Sequence, residues 1–182
     1  MSFAAATFSA GASLRPQVLR LSEPDNGVPN NRLPLIVYPQ AVPAESVDFR
    51  RGFTETFQQH GWPAGEYGTI HGWTHFRLNC HEALGVACGW CEVLFGGDNG
   101  RVIALHAGDA VLIPAGVGRK QLHASEDCLV VGAFSGTLRV HTGEGDPRQL
   151  AAAQSRVARV HLSKTDPLTG VQGAMQDFWM LH

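Results

Sequence analysis

The sequence predicts an all-β domain, a barrel or jelly roll with two flanking short helices and terminal arms. Three observations carry that expectation. From about residue 67 to 140, short apolar runs alternate with glycine punctuation, and no helix-length segment interrupts them. Residues 83–88, 92–95, 102–105, 110–113 and 128–134 each read as a strand. Asp98-Asn99-Gly100 stands between the second and third of these and marks a tight hairpin, because such turns need positive φ. Several short antiparallel strands in one stretch favour closure into a barrel.

The flanking elements follow in chain order. Residues 1–45 form an arm rich in turn formers, with one apolar stretch at 33–38. Pro34 and Pro39 bracket that stretch, so it is expected at a sheet edge. Residues 46–60 read as an amphipathic helix with Ser46 as its cap, Phe49, Phe53 and Phe57 on one face, and Gly61 as its stop. The Phe stripe is expected to pack on the barrel. Asp146-Pro147 opens a second helix over 146–157, with the aspartate capping and the proline at the first position. The tail, 158–182, ends in Phe178-Trp179, two aromatics suited to clamping it onto the barrel or a partner subunit.

Composition excludes several classes of function. With 182 residues, 44% of them apolar and 16% charged, the chain can bury a substantial core as one domain. A net charge of -2 and a pI near 6.5 give no electrostatic case for nucleic acid or an acidic membrane. No apolar run is long enough for a spanning helix. The first 15 residues lack the basic start and apolar centre of a signal peptide, which points to the cytoplasm. Four cysteines in a chain of this size read as thiols. Cys88-Gly89-Trp90-Cys91 has redox spacing but lies in strand-like sequence, where no helix N-terminus would activate it.

Two segments resemble the paired motifs of the cupin superfamily. His75-Phe76-Arg77, then Glu82, then Gly89 follow the order of its first motif; Gly108, Pro114, Gly116, Arg119 and His123 follow its second. Val28-Pro29-Asn30-Asn31, His60-Gly61-Trp62, Phe95-Gly96-Gly97, residues 113–120, Thr165-Asp166-Pro167 and Phe178-Trp179 further resemble the YjlB-type small bacterial cupins. The resemblance implies an RmlC-like double-stranded β-helix and a pocket inside it. It also implies where a metal would sit, on two histidines, a glutamate and a third histidine.

This chain departs from that set at two positions. Arg77 and Arg119 stand where the second and third histidines belong, and a guanidinium has donors only, so it cannot ligate a cation. The expected pocket residues are His75, Arg77, Glu82, Arg119, Gln121 and His123. Strand alternation puts His75 with Arg77 on one face, and Arg119, Gln121 and His123 on another inward face. No metal is expected; a divalent transition metal, if bound, would use His75 and Glu82 with His81 or His123. Two arginines and one glutamate leave a charge of +1, the same as a divalent ion with one glutamate. Such a site suits either an Arg-Glu network or a receptor for a small organic anion.

The expected function is therefore a small-anion binding module of unknown physiological role, forming a homodimer. The rival is a cupin enzyme, an isomerase, decarboxylase or metal-dependent dioxygenase, using His75 and Glu82 with His81 or His123. A scaffold with a vestigial pocket is the third reading.

Overall fold

A computed structural model describes residues 15–42, 48–137 and 139–180. In chain order its elements are β1 (Gln17–Leu19), β2 (Leu35–Tyr38), α1 (Phe49–Gln59), β3 (Ala64–Gly68), β4 (Phe76–Arg77) and β5 (Glu82–Cys88). Then come β6 (Trp90–Phe95), β7 (Arg101–His106), β8 (Ala110–Ile113), β9 (Arg119–Ala124), β10 (Leu129–Phe134) and β11 (Thr142–Gly143). A 3₁₀ turn (Pro147–Gln149) leads into α2 (Leu150–Val157), and α3 (Ala174–Trp179) follows.

Every strand pairing among the described residues is antiparallel. A six-stranded sheet runs β1-β2-β8-β5-β10-β3, facing a three-stranded sheet β7-β6-β9, with β11 and β4 as a short ribbon. The two apolar layers are sorted by strand alternation. Leu35, Val37, Leu84, Val86, Val111, Ile113 and Val130 point between the sheets, where they meet Val93, Phe95 and Leu105. Their neighbours Ile36, Ala83, Leu112, Val131 and Ala133 point the other way, against Phe53 and Phe57 of α1 and Met175 and Trp179 of α3. Residues 35–38, 83–87 and 110–113 read as continuous apolar runs because both faces of the large sheet are covered.

The jelly-roll class, the β6–β7 hairpin and the Phe stripe packed on the barrel are as the sequence indicates. Other boundaries differ for identifiable reasons. The 33–38 segment is not an edge: β1 pairs with β2 on one side and β8 on the other, so β2 is interior. Pro34 and Pro39 fall just outside its four residues and leave its hydrogen bonds intact. Ser46 lies outside the described residues, and the helix cap is Asp48, whose Oδ1 accepts from the Arg51 N–H at 3.0 Å. The barrel extends beyond 67–140, since β1, β2 and β3 complete its large sheet. In the tail, α3 seats Trp179, whose Nε1 donates to the Pro34 carbonyl at 2.8 Å within the same chain. Cys88 and Cys91 flank the β5–β6 turn and are free thiols, one exposed and one buried.

Gly85 makes the contact between α1 and β5 possible, since a Cβ there would overlap the Phe53 ring. Gly85→Ala should therefore destabilise the fold by about 1–3 kcal/mol through overpacking. Urea unfolding monitors this, and an unchanged midpoint would contradict the packing described.

Candidate functional site

The pocket opens at the end of the barrel where β5 and β9 begin. Backbone pairing puts its central groups side by side. The His75 N–H donates to the Arg119 carbonyl at 3.0 Å, and the Arg119 N–H returns to the His75 carbonyl at 2.9 Å. The two form a hydrogen-bonded antiparallel pair, so their side chains leave on the same face. Glu82 starts β5 on the face of Leu84 and Val86, which is the barrel interior. Gly132 of β10 makes room for it: a Cβ at that position would stand 3.2 Å from Glu82 Oε1.

Glu82 is the centre of an ionic network. It is 1% exposed. Its Oε2 accepts from Arg77 Nε at 2.8 Å and forms a short ion pair with Arg119 Nη2. Burial alone would raise the Glu82 pKa, but Arg119 and Arg77 outweigh it and hold the carboxyl below its usual value. Arg119, 3% exposed, also donates from Nε to His75 Nε2 at 3.0 Å. The His75 Nδ1 lies 2.9 Å from the Trp73 carbonyl, an acceptor, so Nδ1 carries the proton and Nε2 presents a lone pair. Burial and, after it, the Arg119 guanidinium lower the His75 pKa to about 4, leaving the ring neutral at pH 7.

Arg77 extends the network to the barrel mouth. Its Nη1 donates to Thr142 Oγ1 and its Nη2 to Glu66 Oε2, both at 2.7 Å. Glu66 is half-exposed on β3 and pairs across the ladder with Gly132. It corrects the charge sum: two arginines face two glutamates, and the site is formally neutral rather than +1. One atom is left over. Arg119 Nη1 is buried with no hydrogen-bond partner among the described residues. A pocket of about 540 Å³ adjoins this floor, lined by Glu66, His71, His75, Arg77, Glu82 and Arg119, with Leu84 and Val130 as apolar walls.

Four of the expected residues, His75, Arg77, Glu82 and Arg119, come together. Gln121 and His123 do not line this pocket. In β9 the register shifts opposite Glu92 and Val93: Val93 pairs with Gln121 but Glu92 pairs with His123. Leu122 is the extra residue of a bulge, and it turns His123 onto the outer face with Glu92. His81, the other candidate ligand, faces away from Glu82, and its Nδ1 accepts from the Ala115 N–H at 2.9 Å. Glu66 and His71 are the residues that sequence reasoning missed. Neither belongs to a motif, and only the β3–β10 pairing and the His71–Gln121 backbone bond bring them to the mouth.

The donor set does not fit a divalent cation. His75 Nε2 and Glu82 Oε2, the atoms a metal would need, are both engaged by the Arg119 guanidinium. Among the described residues no group of three or more His, Cys, Asp or Glu is arranged to hold an ion.

Both buried histidines tie stability to pH. Burial lowers the His81 pKa to about 4 as well. An unfolded histidine titrates near 6.5, so between these values the unfolded chain binds more protons. Stability is then fully present above pH 6.5 and is lost as pH falls toward 4. Between pH 7 and 5 the loss should be about 3–4 kcal/mol for the two together. Urea titrations at the two pH values measure it, and equal stability at both would contradict the neutral, buried rings.

No protein-family model matches the chain. It is 33% identical over 159 residues to the uncharacterised protein YjlB of Bacillus subtilis (strain 168), covering 86% of this chain and 93% of that protein. Among solved structures, RmlC from Streptococcus suis in complex with dTDP-D-xylose is similar over 70% of this chain and 72% of its own, at 11% identity and a TM-score of 0.40. Acireductone dioxygenase from Bacillus anthracis, with a cadmium ion in its active center, overlaps 50% of this chain and 61% of its own, at 13% identity and a TM-score of 0.37. No helix among the described residues is long and apolar enough to cross a membrane. With its cupin-type barrel, and with identity that runs almost the full length of that relative, the chain belongs to the YjlB-like family of cupin-fold proteins.

Proposed function

We propose that this protein is a binding module for a small organic anion, held in the barrel pocket by guanidinium groups rather than by a metal. The observation that carries the reading is Arg119 Nη1, a buried cationic donor without a partner among the described residues, on a residue lining the pocket. A buried donor left unsatisfied costs about 1–3 kcal/mol, and a ligand acceptor removes that cost. Arg77 supplies the second point of attachment. Its Nη2 is held by Glu66, whose side chain is 52% exposed and can turn into water. A ligand carboxylate then takes the place of the Glu66 carboxylate, and the net charge of the site stays the same.

The enzyme reading, an isomerase, decarboxylase or dioxygenase built on His75 and Glu82, needs a free base or a metal. His75 Nε2 accepts from Arg119, and Glu82 is held ionised between two arginines, so neither is poised to take a proton at neutral pH. The binding reading keeps the expected homodimer; β7, at the margin of the three-stranded sheet with Val102 55% exposed, offers for it an edge that is unpaired among the described residues.

Malonate or succinate should raise the melting temperature in a concentration-dependent way, because binding only the folded state stabilises it. Glu66→Gln should enlarge the rise by vacating Arg77. Arg119→Leu should remove it, and should also destabilise the protein by about 3–5 kcal/mol by breaking a buried ion pair. Differential scanning fluorimetry reads all three proteins. No response to any small dicarboxylate, in either the wild type or Glu66→Gln, would leave the network purely structural and end the binding reading.

A further inference from the structure

A second cavity lies on the other side of β5, back to back with the barrel pocket. It is a cleft of about 570 Å³ beneath α3, with His81 among its lining residues. Glu82 faces into the barrel and its neighbour His81 faces out, toward this cleft, as alternation at the strand start requires. We propose that the cleft is a ligand site for a small organic acid with a flat apolar body and a hydrogen-bond acceptor at the end remote from its carboxylate.

His81 supplies the polar contact. It is 1% exposed, and because its Nδ1 accepts from the Ala115 N–H, its Nε2 carries the proton. That Nε2–H is buried and has no hydrogen-bond partner among the described residues. The His161 carbonyl is near enough to raise the ring's basicity, against the larger effect of burial, but not in hydrogen-bond geometry. A neutral donor in this position asks for a neutral acceptor such as a hydroxyl or carbonyl oxygen.

The walls and rim define the rest of the ligand. Trp179 packs against His81 with ring centroids 4.9 Å apart, and Leu33 and Leu162 add apolar surface. Flat apolar surface of this kind suits an aromatic skeleton. At the rim stand Arg20 and Arg32, both exposed and, among the described residues, in no ion pair. Among the described residues, no Asp or Glu lines the cleft. A cationic rim, an aromatic wall and one buried donor thus read a molecule with a carboxylate at one end and an acceptor at the other.

The test uses 6-hydroxy-2-naphthoate as the probe, titrated into the full chain by isothermal calorimetry. We expect one site per chain. Arg20→Ser with Arg32→Ser, two exposed positions that should fold normally, should weaken binding at least tenfold. His81→Asn, which keeps an acceptor near the Ala115 N–H while deleting the Nε2 donor, should weaken it at least fivefold. The same variant should leave the affinity for 2-naphthoate, which lacks the hydroxyl, unchanged. Glu66→Gln should change neither, since it alters only the barrel pocket; a missing dicarboxylate response there would not touch this site. No binding at millimolar probe, no effect of the double arginine variant, equal loss of both probes in His81→Asn, or a change of affinity in Glu66→Gln would each overturn the proposal.

Discussion

The Glu82 carboxylate, buried between two guanidinium groups, is the constraint on which the site depends. Transferring one carboxylate and two guanidinium groups from water into a barrel is unfavourable unless each charge meets another at close range. Arg119 satisfies this by touching Glu82 and His75 together, and Arg77 by spanning Glu82, Glu66 and Thr142. The geometry of the barrel end follows from that requirement. β4, β5 and β9 must bring Arg77, Glu82 and Arg119 to one point, and Gly132 of β10 leaves room beside the carboxylate. The His75–Arg119 backbone pair fixes the arrangement from below.

The same network occupies positions that the cupin resemblance assigns to metal ligands. An ion at those positions would supply positive charge to the glutamate and hold imidazoles in place. Here the guanidinium of Arg119 does both, pairing with Glu82 and directing a hydrogen bond at His75 Nε2. Because a guanidinium stays protonated, the positive charge is permanent. What it lacks is an open coordination position, and with it Lewis acidity; what it offers instead is directional N–H donors.

Much of this was legible in the sequence because it depends on local pattern. Glycine spacing and alternation identify the barrel strands, and residue type alone removes Arg77 and Arg119 from any ligand set. The rest depends on pairing between distant segments. The bulge at Leu122 that turns His123 outward is a register property of β6 and β9, without a signal in either strand alone. Glu66 reaches Arg77 only because β3 closes the large sheet beside β10. Pro34 and Pro39 suggested an edge strand, yet a four-residue strand fits between them and takes β1 and β8 as neighbours.

On the reading proposed above, Arg119 and Arg77 take, in charge and in space, the place that the cupin resemblance gives to a divalent ion. Equilibrium dialysis of the purified protein against Mn²⁺, followed by elemental analysis, tests it most directly when the wild type is compared with the double variant Arg77→His, Arg119→His. No stoichiometric manganese is expected in the wild type, and about one ion per chain in the variant, whose His75 and Glu82 are released to ligate. One manganese per wild-type chain would contradict it.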